Sequence, residues 1–148
     1  MKMLALPLML VATAALFAAD NAPDTQVSKN MSVRASKLIG MTVVNPQGES
    51  LASVNDIMID LAQAQVKYLA ISHGGVLGVG DKLFAVPMKA FQVTYDSDND
   101  QYKLVLNITS DRLEKAPGFN QDQWPDMGDK KWQTTVDEYY RGGRTIER

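Results

Sequence analysis

Val66 to Pro87 reads VKYLAISHGGVLGVGDKLFAVP, and these residues decide the fold. Across Lys67 to Ser72, apolar side chains fall on both sides of an extended chain. Val66, Tyr68 and Ala70 oppose Leu69 and Ile71, which suits a strand covered on both faces. The Gly-rich connection that follows must turn the chain, and Leu83 to Met88 repeats the apolar habit. The two runs predict the central hairpin of a mainly β fold, a small closed or nearly closed β-barrel, within an organising stretch from Met41 to Val93.

Outward from that hairpin the strands follow in short runs. Met41 to Asn45 precedes an Asn45-Pro46-Gln47-Gly48-Glu49 turn, in which Pro fixes φ and Gly supplies a left-handed position. In Ser50 to Leu61 the alternation slips at Asn55-Asp56. A β-bulge there places Val54, Ile57 and Ile59 on one face and Asp56, Met58 and Asp60 on the other. On the C-terminal side, Phe91 to Tyr95 continues the sheet and Asp96 to Asp100 is a polar turn. Tyr102, Leu104, Leu106 and Ile108 then alternate in a last strand. Ser110 is placed to cap a short helix, Asp111 to Lys115, which Pro117-Gly118 stops. Beyond it, Asp129 is placed to cap a helix carrying Trp132, Val136 and Tyr139 on one apolar stripe, with Gly142-Gly143 at its end. A helix of this length is marginal alone in water, so the stripe needs a partner surface.

Length and composition narrow the setting. At 148 residues the chain suits one domain with an accessory segment. Residues 1–19 have the profile of a signal peptide, with one Lys and then an apolar run rich in small residues. Residues 20–31 read as a flexible leader, 32–119 as the barrel domain and 120–148 as a tail with a helix. The expected location is periplasmic or secreted, with no integral span after cleavage. Without cysteine there is neither a disulfide framework nor a lipid-attachment site. The net charge of −2, with no basic cluster, disfavours nucleic acid as a partner.

The chemistry-bearing motifs do not assemble a reactive centre. His73 is the sole histidine, and no cysteine assists it, so a multi-His zinc site is out. Ser72 and His73 are adjacent on a strand and point to opposite faces, which breaks a Ser72-His73-Asp81 arrangement. The Gly75 to Lys82 run lacks the following Ser or Thr and the helix of a phosphate loop. Asp96-x-Asp98-x-Asp100 starts like a calcium loop but has Gln101 where Gly belongs and Asn107 where the bidentate Glu belongs. No cofactor, metal or catalytic residue is expected. Val76, Leu77 and Val79 are apolar on a connecting loop, and either fold over the barrel mouth or face a partner. With Trp124, Trp132, Tyr139 and Tyr140 in the tail they are the interaction candidates.

Several segments in order resemble the PRC-barrel family. They are Ser36-Lys37-Leu38-Ile39-Gly40, Asn45-Pro46-x-Gly48-Glu49, Val54-x-Asp56-Ile57-x-Ile59-Asp60, the run His73 to Lys82 (HGGVLGVGDK), and Ala85-Val86-Pro87-Met88. The resemblance covers about Ser32 to Phe119, and Trp124 through Tyr140 is similar to the tail of exported stand-alone bacterial members. It implies a binding or assembly module and brings no catalytic residues. One departure stands out: where the family turns after the second strand with Pro and Gly, this chain has Leu61 and Ala64, and Ala tolerates positive φ poorly. The function this implies is a non-enzymatic protein-interaction or assembly module at the bacterial cell envelope, its partner an envelope protein or a second copy. The alternative is a periplasmic small-ligand or cation-binding protein.

Overall fold

In the computed structural model, residues 32–73, 82–96 and 98–141 are described. A one-turn helix α1 (Ala35–Leu38) leads into strands β1 (Thr42–Val44), β2 (Ser50–Asp60), β3 (Gln65–Ser72) and β4 (Lys82–Pro87). After a 3₁₀ turn (Met88–Ala90) come β5 (Phe91–Asp96) and β6 (Gln101–Leu106), the short helix α2 (Ser110–Glu114), β7 (Gly118–Asn120) and the helix α3 (Lys130–Arg141). The strands form one seven-stranded sheet in the order β5-β6-β1-β2-β3-β4-β7. Neighbours pair antiparallel except β1 and β6, which run parallel through Val43–Leu104 and Val44–Val105. No pairing joins β5 to β7 among the described residues, so the expected closed or nearly closed barrel is met in part, as a mainly β sheet with a few helices. The sheet is curved nonetheless: one core takes side chains from every strand from β1 to β6. Among the described residues no helix is long and apolar enough to cross a membrane.

Local chemistry sets the turns. Between β1 and β2 the buried Asn45 accepts from the Gln47 and Glu49 amides at 3.0 and 2.8 Å and donates to the Glu49 carboxylate at 2.6 Å. Gly48 takes a φ of +83° there, the left-handed position assigned to it. At the β2–β3 turn the Asp60 carboxylate accepts from the amides of Ala62 and Gln63, both at 3.0 Å. Ala64 sits in the left-handed region at φ 51°. This turn keeps the conformation a glycine would favour and pays a steric cost to do so.

β3 is covered on both faces as its sequence required: Tyr68, Leu69, Ala70 and Ile71 are all fully buried. One cover is the common core and the other is α3. The Trp132 ring meets the Tyr68 ring edge-on at 5.3 Å, the Tyr68 hydroxyl donates to Asp137 at 3.2 Å, and Val136 is fully buried. Burial and the Asp137 charge both push the Tyr68 hydroxyl above its ordinary range. The apolar stripe thus has its partner within the chain.

Four details differ from the sequence reading. The bulge at Val54–Asp56 is present, but a second register shift at Met58–Ile59 reverses the faces beyond it. Met58 is therefore buried and Ile59 exposed. Thr109, not Ser110, caps α2, its hydroxyl accepting from the Arg112 amide at 3.3 Å. β6 ends at Leu106, while Ile108 is buried just outside it. Pro117-Gly118 does end the helix, but Gly118 also opens a seventh strand. A side chain at Gly118 would displace the Lys82 side chain and press on the Leu83 carbonyl at 3.0 Å, so glycine suits the close approach of β7 to β4.

Candidate interaction surfaces

His73 follows the last residue of β3, where the chain leaves the sheet. Its Nδ1 lies 2.5 Å from the Leu51 carbonyl oxygen, and a carbonyl only accepts, so Nδ1 carries a proton. The other nitrogen, Nε2, faces both the Glu114 carboxylate at 3.1 Å and the Ser110 hydroxyl at 3.2 Å. The structure thus brings the lone histidine to a carboxylate and a hydroxyl that the sequence reading did not connect with it. In a nucleophilic relay those two groups hold opposite ring nitrogens. Here they share one. The arrangement ties β2, β3 and α2 together. Long-range contacts of this kind, 41 residues apart in the chain, carry no spacing signal that sequence could display.

The Asp96 to Asp100 turn is committed in a similar way. Asp96 accepts through one oxygen from the amides of Asp98 and Asn99, and through the other from the Asn99 side chain and from Lys103 at 2.5 Å. The Lys103 ammonium and the Asn99 amide hold its carboxyl down to about 2. Asp100 accepts from the Tyr95 hydroxyl. Among the described residues no three potential ligands come together as a metal-binding group.

The aromatic candidates separate. Tyr140 is 4 % exposed and faces the core, while Trp132 is half-buried on Tyr68. Tyr139 is half-buried, its hydroxyl donating to the Arg112 carbonyl at 2.5 Å while the Arg112 guanidinium donates back to the Tyr139 carbonyl at 2.9 Å. Trp124 packs on Phe119 yet keeps 39 % of its surface exposed. Val76, Leu77 and Val79 lie outside the described residues.

The remaining exposed apolar side chains gather at one end of the sheet. Ser53 of β2 pairs with Thr42 at the start of β1, and β2 then continues to Asp60. At about 3.3 Å per residue the β2–β3 hairpin forms an arm reaching roughly 20 Å past the start of β1. Ile59 is 57 % and Leu61 87 % exposed on that arm. Because β6 runs parallel to β1, Gln101 to Lys103 lie at the same end. There a cleft of about 770 Å³ opens between the Val33–Val44 segment and β6, with Ile39, Met41 and Tyr102 among its lining. Val33 and Ile39 are exposed on its wall, and Tyr95 is exposed beside Tyr102. The sequence did carry one trace of this surface: Leu61 stands in a turn where a polar residue or glycine would serve.

The family model for the PRC-barrel domain matches residues 31–113, which span α1 through α2. No curated protein matches the chain.

Proposed function

The chain belongs to the PRC-barrel domain family, and from that premise we propose that it is a non-enzymatic interaction or assembly module of the bacterial cell envelope, exported by residues 1–19. The observation that carries this reading is the gathering of exposed Ile59, Leu61, Val33, Ile39 and Tyr95 at one end of a rigid sheet. Apolar side chains collected on one surface mark contact sites more often than scattered ones do. The curved seven-stranded sheet acts as a stiff mount for that surface, and α3 braces it. His73, with Ser110 and Glu114, serves as a brace between elements. A small apolar ligand in the 770 Å³ cleft is the second reading, since that volume lies within the range of ligand sites.

The test is photo-crosslinking in the intact envelope, with a photoreactive residue replacing Leu61, Trp124 or, as a control away from the arm, Lys115. Defined protein adducts from position 61 and none from 115 are expected. Equal labelling from all three positions would remove the support for a dedicated surface.

A further inference from the structure

We propose that two copies of this chain pair about a two-fold axis at this end of the sheet, the β2–β3 arm of each lying in the partner copy's cleft between β6 and the Val33–Val44 wall. The proposal rests on the assembly reading and names the partner as a second copy. Three observations on independent features carry it.

The first is the distribution of apolar exposure. Of the six large apolar side chains exposed among the described residues, Ile59 and Leu61 are on the arm, Val33 and Ile39 on the cleft wall, and Tyr95 beside the cleft's Tyr102. Only Trp124 lies elsewhere. Two separate patches, one projecting and one concave, are what a reciprocal contact requires.

Charge supplies the second. On the arm Asp60 is held by its own Lys67 at 3.9 Å, which leaves Asp56 as its unmatched charge, whereas residues 33–44 carry Arg34 and Lys37 beside a single acid, Asp100, in the cleft lining. An arm laid against its own kind would bring Asp56 no base, while an arm laid against the wall sets Asp56 against Arg34 and Lys37, which favours that partner and register.

The third is direction. Past Val54 the outer edge of β2 has no strand beside it among the described residues, and the arm and the cleft open at the same end of the sheet. An exposed strand edge invites pairing with another chain unless it is covered. When complementary patches at one end of a molecule meet about a two-fold axis, each contact occurs twice and the assembly closes instead of continuing into a filament.

Sedimentation equilibrium of the full chain, as the cell processes it, tests the proposal. A dimer is expected at micromolar concentration. Leu61→Asp on the arm and Ile39→Asp on the wall, both at exposed positions, should each raise the dimer dissociation constant by about tenfold or more while leaving the circular dichroism spectrum unchanged. Lys37→Glu should weaken the dimer and Asp56→Lys in the same chain should restore it. A wild-type chain that stays monomeric at about 100 μM, a dimer indifferent to both apolar variants, or a Lys37→Glu loss that Asp56→Lys does not relieve overturns the pairing. Crosslinks from position 61 to other proteins by a monomeric chain would leave the assembly reading standing while removing this one.

Discussion

Leu69 and Leu61 lie eight positions apart along one hairpin, and the first is 0 % exposed while the second is 87 % exposed. Strand propensity does not separate them; the presence of a second layer does. Across Tyr68 to Ile71 the sheet has the core on one face and α3 on the other; Ile59 only edges a cleft against Met127 and Gln133, and around Leu61 to Gln65 the hairpin stands beyond both. The difference teaches that this domain stabilises one part of its central hairpin and presents another. Leu69→Ala should cost about 3 kcal/mol of unfolding free energy, the usual size for a buried Leu cavity. Leu61→Ala should change it by no more than about 0.5 kcal/mol. Urea denaturation of the two variants compares the regions directly, and similar losses would break the distinction.

The second layer can be removed without touching the sheet. Trp132→Ala deletes the ring that meets Tyr68 and is expected to cost about 2 kcal/mol, below the range for a fully buried Trp because this one is half-buried. Part of the helical signal should go with it, since a helix of 12 residues has little stability alone. Tyr68→Phe is milder, about 1 kcal/mol, through loss of the hydrogen bond to Asp137. The Tyr68 hydroxyl titrates above its ordinary value in the folded chain, chiefly through burial. Its contribution is therefore complete below the unfolded tyrosine value near ~10 and is lost as the pH rises from there through the folded value. Tyr68→Phe should flatten that alkaline loss. A variant that loses stability while keeping α3 fully helical would show that the helix does not depend on this contact.

How much of this was legible in the sequence follows from the range of the interactions. Strands β1 to β6 were readable because alternation and turn chemistry are local, and Asn45 to Gly48 behaves as its residues dictate. The α3 stripe was readable for the same reason, Trp132 and Val136 sharing one helix face. A one-residue register shift at Met58–Ile59 was not, because it is fixed by what β3 offers across the ladder. β7 escaped because a three-residue strand beginning at glycine has no period to detect, its place being set by close approach to β4. The His73 brace and the arm facing the cleft were illegible for a further reason. They depend on residues brought together only after the sheet has curved.

The tip of the arm allows a gain of stability without reinforcing the core. Ala64 holds φ at 51°, a region costing a residue with a β-carbon about 1 kcal/mol or more. Ala64→Gly relieves that cost but gives the unfolded chain more freedom, worth about 0.4–1 kcal/mol in the opposite direction. The expected net effect is a gain of about 0.5 kcal/mol in urea denaturation. A loss would mean that the turn does not hold the left-handed conformation, and that the arm's tip is placed by some other constraint.

The smallest effect belongs to the Asp96 turn, which borders the cleft from the other side. Lys103 and Asn99 hold the Asp96 carboxyl down to about 2, below its ordinary 3.8. A depressed folded value means the turn's contribution is complete above the unfolded value and is lost as pH falls from there through about 2. At neutral pH the contribution is fully present, so the turn and its cleft wall are set under physiological conditions. Carboxyl carbon NMR should follow Asp96 to a midpoint near 2, and Lys103→Met should move that midpoint up toward the ordinary value, since Lys103 is its largest cause. Leu69 and Tyr68 signals should stay unmoved through the same titration. Movement there would mean that the open end of the sheet and its covered wall respond as one unit, removing the separation on which the contrast between Leu61 and Leu69 stands.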